Sequence, residues 1–189
     1  DDNICEGNTY QVTDATAADY TSLLWTENGT GTLTDANTLT PTYTPGNNET
    51  GTVTLTLTAT GSGSCGNAVS TKEIEIYGNP TANAGGNGST CAGVSYTVSG
   101  ASAQNSASIL WTENGSGSLS GATTLTPTYT PGTGETGNVT LTMTVQGQGG
   151  CGSAVSTMTL AIQSGATADA GADDNICEGN TYQVTDATA

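Results

Sequence analysis

Five cysteines, two tryptophans, a single lysine and seventeen acidic residues hold whatever chemistry this chain can perform. Thiolates attack carbonyls or bind soft metals when a neighbouring base or cation activates them. The chain contains no histidine, which removes Ser–His–Asp and Cys–His catalysis, the commonest general base and the usual zinc sites. Paired carboxylates can cleave glycosides. The candidates are Glu27 with Glu49 and, further on, Glu113 with Glu135. Each lies beside a Gly-rich turn (ENGTG, PGNNETG, ENGSG, PGTGETG), where a solvated turn residue is the simpler reading. Asp1, Asp2, Asp169, Asp173 and Asp174 offer hard oxygen ligands, so calcium is the one ion worth weighing. Trp25 and Trp111 could stack on sugars, but their flanks, LLWT and ILWT, are apolar and place them in a core. The Gly-rich segments lack the following helix and the lysine that cradle a phosphate. Five Asn-x-Ser/Thr sequons, at Asn28, Asn48, Asn87, Asn114 and Asn138, largely reflect composition.

These residues recur at a fixed interval. A shift of 86 places Cys5 on Cys91, Trp25 on Trp111, Pro41 on Pro127 and Cys65 on Cys151. A shift of 172 returns residues 1–17, DDNICEGNTYQVTDATA, letter for letter at 173–189. The expected organisation is therefore two units, 1–86 and 87–172, and the first strand of a third at 173–189, cut from a longer array. Such arrays provide reach or spacing more often than catalysis.

Only 33% of the residues are hydrophobic, a proportion compatible with disorder. Their order argues for folding. Val53, Leu55, Leu57 and Ala59 alternate with threonine, as do Val139, Leu141, Met143 and Val145 with their polar neighbours. That is the pattern of a strand with one buried face. The net charge of −16 leaves no basic patch, which excludes nucleic acid and an anionic membrane surface as partners. Only Glu113, Glu135 and Asp169 are acidic in 87–172, so the units share a scaffold and not a surface.

Within a unit we expect strands over residues 5–13, 23–26, 31–34, 39–43, 52–60 and 68–76, with 14–22 and 100–108 as loops. Asn-Gly and Pro-Gly turns separate them. Turns this frequent, with no helical periodicity, predict an all-β sandwich of about seven strands per unit. Lys72 stands where the second unit has Met158, which suggests a rim position. Residues 78–88 and 164–174 read as short linkers that set the units end to end. No transmembrane run or signal segment is present, as expected of an interior slice.

The matched cysteines favour one bridge per unit, Cys5–Cys65 and Cys91–Cys151, with Cys177 unpaired within this stretch. The rival scheme, Cys65–Cys91 with Cys151–Cys177, staples neighbouring units and leaves Cys5 over. Either requires an oxidising, extracellular compartment.

The ordered motifs LWTENGTGTL, LTPTYTPG, GTVTLTLTATG and CGNAVST, joined by ANAGG or ADAGADD, resemble the PKD/Ig-like tandem repeats of large Bacteroidetes cell-surface adhesins, including those of gliding motility. The resemblance implies a secreted, cell-surface filament delivered by the type IX pathway, with stacked Ig-like or PKD-like sandwiches as its stalk. It implies no enzyme and no cofactor. Cys5, Cys65, Cys91, Cys151, Trp25 and Trp111 would be structural. The expected partners are neighbouring repeats, with surface glycans or self-association as alternatives.

Overall fold

The computed structural model describes residues 2–189. In the first unit β1 (Asp2–Cys5), β7 (Ala68–Tyr77), β6 (Gly51–Gly61) and β3 (Tyr20–Glu27) form one sheet, in that order. The facing sheet contains β2 (Tyr10–Gln11), β5 (Thr42–Thr44) and β4 (Thr32–Thr34). The second unit repeats this arrangement. Its larger sheet is β12 (Ser106–Glu113), β15 (Gly137–Gly147), β16 (Ser153–Gln163) and β9 (Gly88–Cys91). Its smaller sheet is β10 (Tyr96–Thr97), β14 (Thr128–Thr130) and β13 (Ser118–Ser120). These are tandem Ig-like β-sandwiches.

Alternation sets which face is buried. Val53, Leu55 and Leu57 of β6 point inward to meet Ile74 and Ile76 of β7, with Trp25, Val12 and Tyr43 closing the core. Val139, Leu141 and Met143 do the same with Met158, Leu160 and Ile162, under Trp111, Val98 and Tyr129. The threonines between them face solvent, where β-branching still favours the extended backbone.

The predicted strand over 5–13 is two strands in different sheets. β1 runs parallel to β7, with Cys5 opposite Tyr77, before the chain crosses to β2. Gly7, at φ +84, allows that crossing. The predicted loop 100–108 holds β11 (Ser102–Gln104) and the first residues of β12. β11 pairs with β8 (Thr81–Asn83), so part of the expected linker 78–88 is strand. Ala84, ahead of the 86/87 repeat boundary, is fully buried in the second core. Only Gly78–Pro80 remains between β7 and β8.

Residues 173–189 form no sheet strand. Residues 174–177 correspond to β1 and β9, each of which pairs with the last strand of its own unit. One feature of the repeat does persist. Asp169 and Thr188 exchange both backbone hydrogen bonds at 2.9 Å, reproducing the Asn83–Ser102 rung of β8 with β11.

Candidate functional site at the junction between units

The disulfide joins Cys5 to Cys151, with Cα atoms 5.4 Å apart and a sequence separation of 146. Both expected pairings are thereby corrected. Cys5 ends β1 beside the last residue of β7, whereas Cys65 precedes the first. A ten-residue strand places them about 30 Å apart, well beyond the roughly 7 Å that a disulfide can span. Cys65, Cys91 and Cys177 are free and exposed. Neither scheme read from the sequence includes the observed bond, because the repeat hides which end of a unit each cysteine occupies.

Polar and steric contacts surround the bridge. The hairpin between β15 and β16 carries a tight turn at Gln148–Gly150, which meets β1. A Cβ added at Gly149, at φ +55, would lie 2.1 Å from the Tyr77 ring, so only glycine lets the units approach this closely. Asn105 Nδ2 donates to the Asn79 carbonyl at 2.9 Å, and Asn79 Nδ2 donates to the Glu6 carbonyl at 3.4 Å. The equivalent hairpin of the first unit, around Gly63, faces open space.

The calcium candidates separate. Asp1 lies outside the described residues. Asp2 is committed to a cation of its own chain: Lys72 Nζ lies 2.9 Å from Asp2 and 2.8 Å from Asp14, over the Tyr10 ring. The Tyr10 hydroxyl also donates to Asp2. That hydroxyl, then Lys72, holds the Asp2 carboxyl below its usual range; Lys72 does the same for Asp14 and is itself held above the usual lysine range. Asp169 and Asp174 accept nearby backbone N–H groups of Gly171 and Asn175. Asp173 is exposed. Among the described residues no three His, Cys, Asp or Glu side chains form a metal-holding group.

Comparing the units explains the trio. Asp2, Asp14 and Lys72 become Gly88, Gly100 and Met158 together. Gly88 is needed because the Tyr96 ring fills the space of its Cβ, 2.3 Å away, and Met158 is 2% exposed in the core. Lys72 is on the inner face of β7, not on a solvent rim, and its side chain is 20% exposed. It lines an open groove of about 250 Å³ with Val12, Ala15, Trp25 and Leu57. In the second unit β8 packs at this place against β15 and β16, and the Ala84 N–H donates to Ser156 Oγ at 3.0 Å. The groove is therefore a seat for a junction strand. Extending the N-terminus with SGATADAGA, the sequence of residues 164–172, is expected to fill it and raise the denaturation midpoint of the first unit. The same extension with its TADA replaced by GDGD should give no rise.

Of the carboxylates weighed as glycosidase pairs, Glu49 and Glu135 clasp the turns. Glu49 accepts the Thr30 and Gly46 N–H groups at 2.6 and 2.7 Å and the Tyr43 hydroxyl at 2.8 Å. Tyr43 in turn accepts from Gly31 N–H at 3.1 Å. Glu135 and Tyr129 repeat every one of these bonds with Ser116, Gly132 and Gly117. Tyr43 and Tyr129 are fully buried core residues. Glu27 Oε2 is buried with no partner, while Glu113 accepts from Gly115 N–H. Trp25 and Trp111 are buried, and each indole N–H donates at 3.0 Å to a carbonyl, of Thr38 and Thr124. The sequon residues Asn28, Asn87 and Asn114 use Oδ1 to accept strand N–H groups of Thr54, Thr159 and Thr140.

Burial opposes the charge on Glu49 and Glu135, yet the backbone and tyrosine donors hold both carboxyls below their usual range. Burial, then the adjacent carboxylate, raises Tyr129 to about 12. The depressed carboxyls contribute stability above about pH 4 that is lost as pH falls through their lowered values. The raised tyrosine contributes stability below about pH 10 that is lost as pH climbs toward 12. Glu135→Ala is expected to cost about 2 kcal/mol, since it strips charge-assisted hydrogen bonds from buried donors. It should also flatten the acid limb of second-unit stability, read by urea denaturation from pH 3 to 7.

No family model and no curated protein sequence matches the chain. The fold does have matches. An I-band fragment of titin aligns over 87% of this chain and 62% of its own, at 9% identity and a TM-score of 0.51. The chain thus spans about six-tenths of that fragment. The N-terminal four Ig domains of a Dscam1 isoform align over 86% of this chain and 43% of theirs, at 11% identity and a TM-score of 0.47. The D00-D0 domain of intimin aligns over 85% and 96%, at 13% identity and a TM-score of 0.44. The titin match shows a tandem Ig-like fold. No helix among the described residues is long and apolar enough to cross a membrane.

Proposed function

We propose that the chain is a spacer segment of an extracellular adhesive filament, a stalk that holds a binding tip away from the surface that bears it. The observation that carries this reading is the clamped junction: a disulfide, two side-chain hydrogen bonds and a glycine contact fix one sandwich on the next. A chain that catalysed or bound within each unit would have no need of so constrained a joint. The groove beside Lys72 and the carboxylates of Glu49 and Glu135 have structural roles that support this reading: a strand position and turn clasps. An oxidising exterior is where the bridge persists.

Small-angle scattering tests the reading on this chain and on a four-unit chain, made by placing residues 1–172 ahead of residues 1–189. Equal length increments per unit and no saturable binding on a glycan array are the expected results. A compact or freely hinged particle would overturn the stalk, and saturable glycan binding would transfer the function to the units themselves. A glycan-binding reading would rest on the loops; Ser102–Gln104 and Ser106–Ser108 are in strands, whereas residues 14–19 lie outside any strand and remain open to it. Self-assembly by strand exchange retains one specific support: residues 173–189 duplicate 1–17 and lack a sheet partner. Concentration-dependent oligomers in sedimentation would favour it.

A further inference from the structure

We propose that the Cys5–Cys151 bond is one rung of an overlapping ladder, in which the first cysteine of each unit bonds the second cysteine of the unit after it. The geometry that places Cys5 is repeated at Cys91. Cys5 pairs with Tyr77 and the following Glu6 N–H donates to Tyr77 at 2.8 Å; Cys91 pairs with Gln163 and the following Ala92 N–H donates to Gln163 at 2.8 Å. Cys91 is therefore presented at the far end of the second unit, as Cys5 is at the far end of the first. Cys65 occupies the hairpin position of Cys151, at the opposite end of β7 from Cys5. The three free, exposed cysteines, Cys65, Cys91 and Cys177, are the half-rungs that a ladder leaves when two units are taken from it. Neither an intra-unit nor an adjacent-linker scheme leaves this set.

Each rung forms by a two-electron oxidation. Two thiols lose two protons and become one S–S bond. Their two electrons reduce the disulfide of a thiol–disulfide oxidoreductase to a dithiol, by exchange through a mixed disulfide.

The ladder has a mechanical meaning. An unfolded unit of 86 residues stretches to about 300 Å. In a ladder the tensioned path runs from Cys5 across the bond to Cys151, then along residues 151–177 to the next rung, about 90 Å at full stretch. The rest of both units is bypassed, so their unfolding adds almost no length.

The four-unit chain tests this, its join being invisible because residues 173–189 equal 1–17. Peptide mapping without reductant is expected to link Cys91 to the second cysteine of the third unit. A free Cys91, or a Cys91–Cys151 peptide, would overturn the proposal. Cys91→Ser is expected to release one additional thiol, that partner, and to leave Cys5–Cys151 intact. Single-molecule pulling provides a readout that does not depend on any variant. Steps of about 300 Å should appear only after reduction; such steps in the oxidised chain would also overturn the ladder.

Discussion

Reducing the Cys5–Cys151 bridge is expected to split one unfolding transition into two and to lower both midpoints. With the bridge intact, opening either sandwich alone creates a closed loop of about 70 residues, whose lost entropy opposes unfolding by about 4 kcal/mol. Opening the second as well enlarges the loop to the 146-residue separation of the bridge, which adds less than 1 kcal/mol because loop entropy grows only with the logarithm of length. The bond therefore opposes the first opening far more than the second, and that asymmetry makes the pair cooperative. Urea titrations of Trp25→Phe and Trp111→Phe follow one unit at a time by the remaining indole. Coincident curves without reductant and separated, earlier curves with it are the expected result. Curves unchanged by reductant would mean that the bridge bears none of the coupling.

Trp111→Ala is expected to unfold the second unit and spare the first in the reduced chain. Trp111 is 2% exposed among Tyr129, Val139 and Met143, and its indole N–H holds the Thr124 carbonyl at 3.0 Å. Removing it costs about 3–5 kcal/mol in cavity and contacts and takes away the donor to the Thr124 carbonyl. A sandwich of this size has little more stability than that to lose. About half of the strand signal in circular dichroism should disappear, while Trp25 keeps its buried emission. Loss of both units would show that they do not fold separately, and that the repeat boundary at 86/87 is not a domain boundary.

The sandwich class was legible because alternation in β6 and β15 is unbroken and one buried face leaves no other solution. The Trp25 and Trp111 positions followed from their apolar flanks. The junction was not legible, for an identifiable reason. β1 pairs in parallel with β7, and so few residues cannot reveal that Cys5 has been taken to the far end of the unit. β8 was hidden because Thr-Ala-Asn has linker composition; only its pairing with Ser102, Ala103 and Gln104 makes it a strand. The Tyr43–Glu49 clasp joins residues only six apart, and its signal was present in both copies of TPTYTPG followed by ETG. The ion-paired trio could also have been found, since Asp2, Asp14 and Lys72 change together between the units.

The loop closed by Cys5 and Cys151 also governs what happens when the backbone is cut. The turns at residues 45–51 and 131–137 are places where a protease can enter, and both lie between the bonded cysteines. Cleavage there hydrolyses a peptide bond without parting the chain, because the two new ends stay attached through the sulfurs. Separating the two parts takes reduction as well as proteolysis, so a nicked chain stays in one piece.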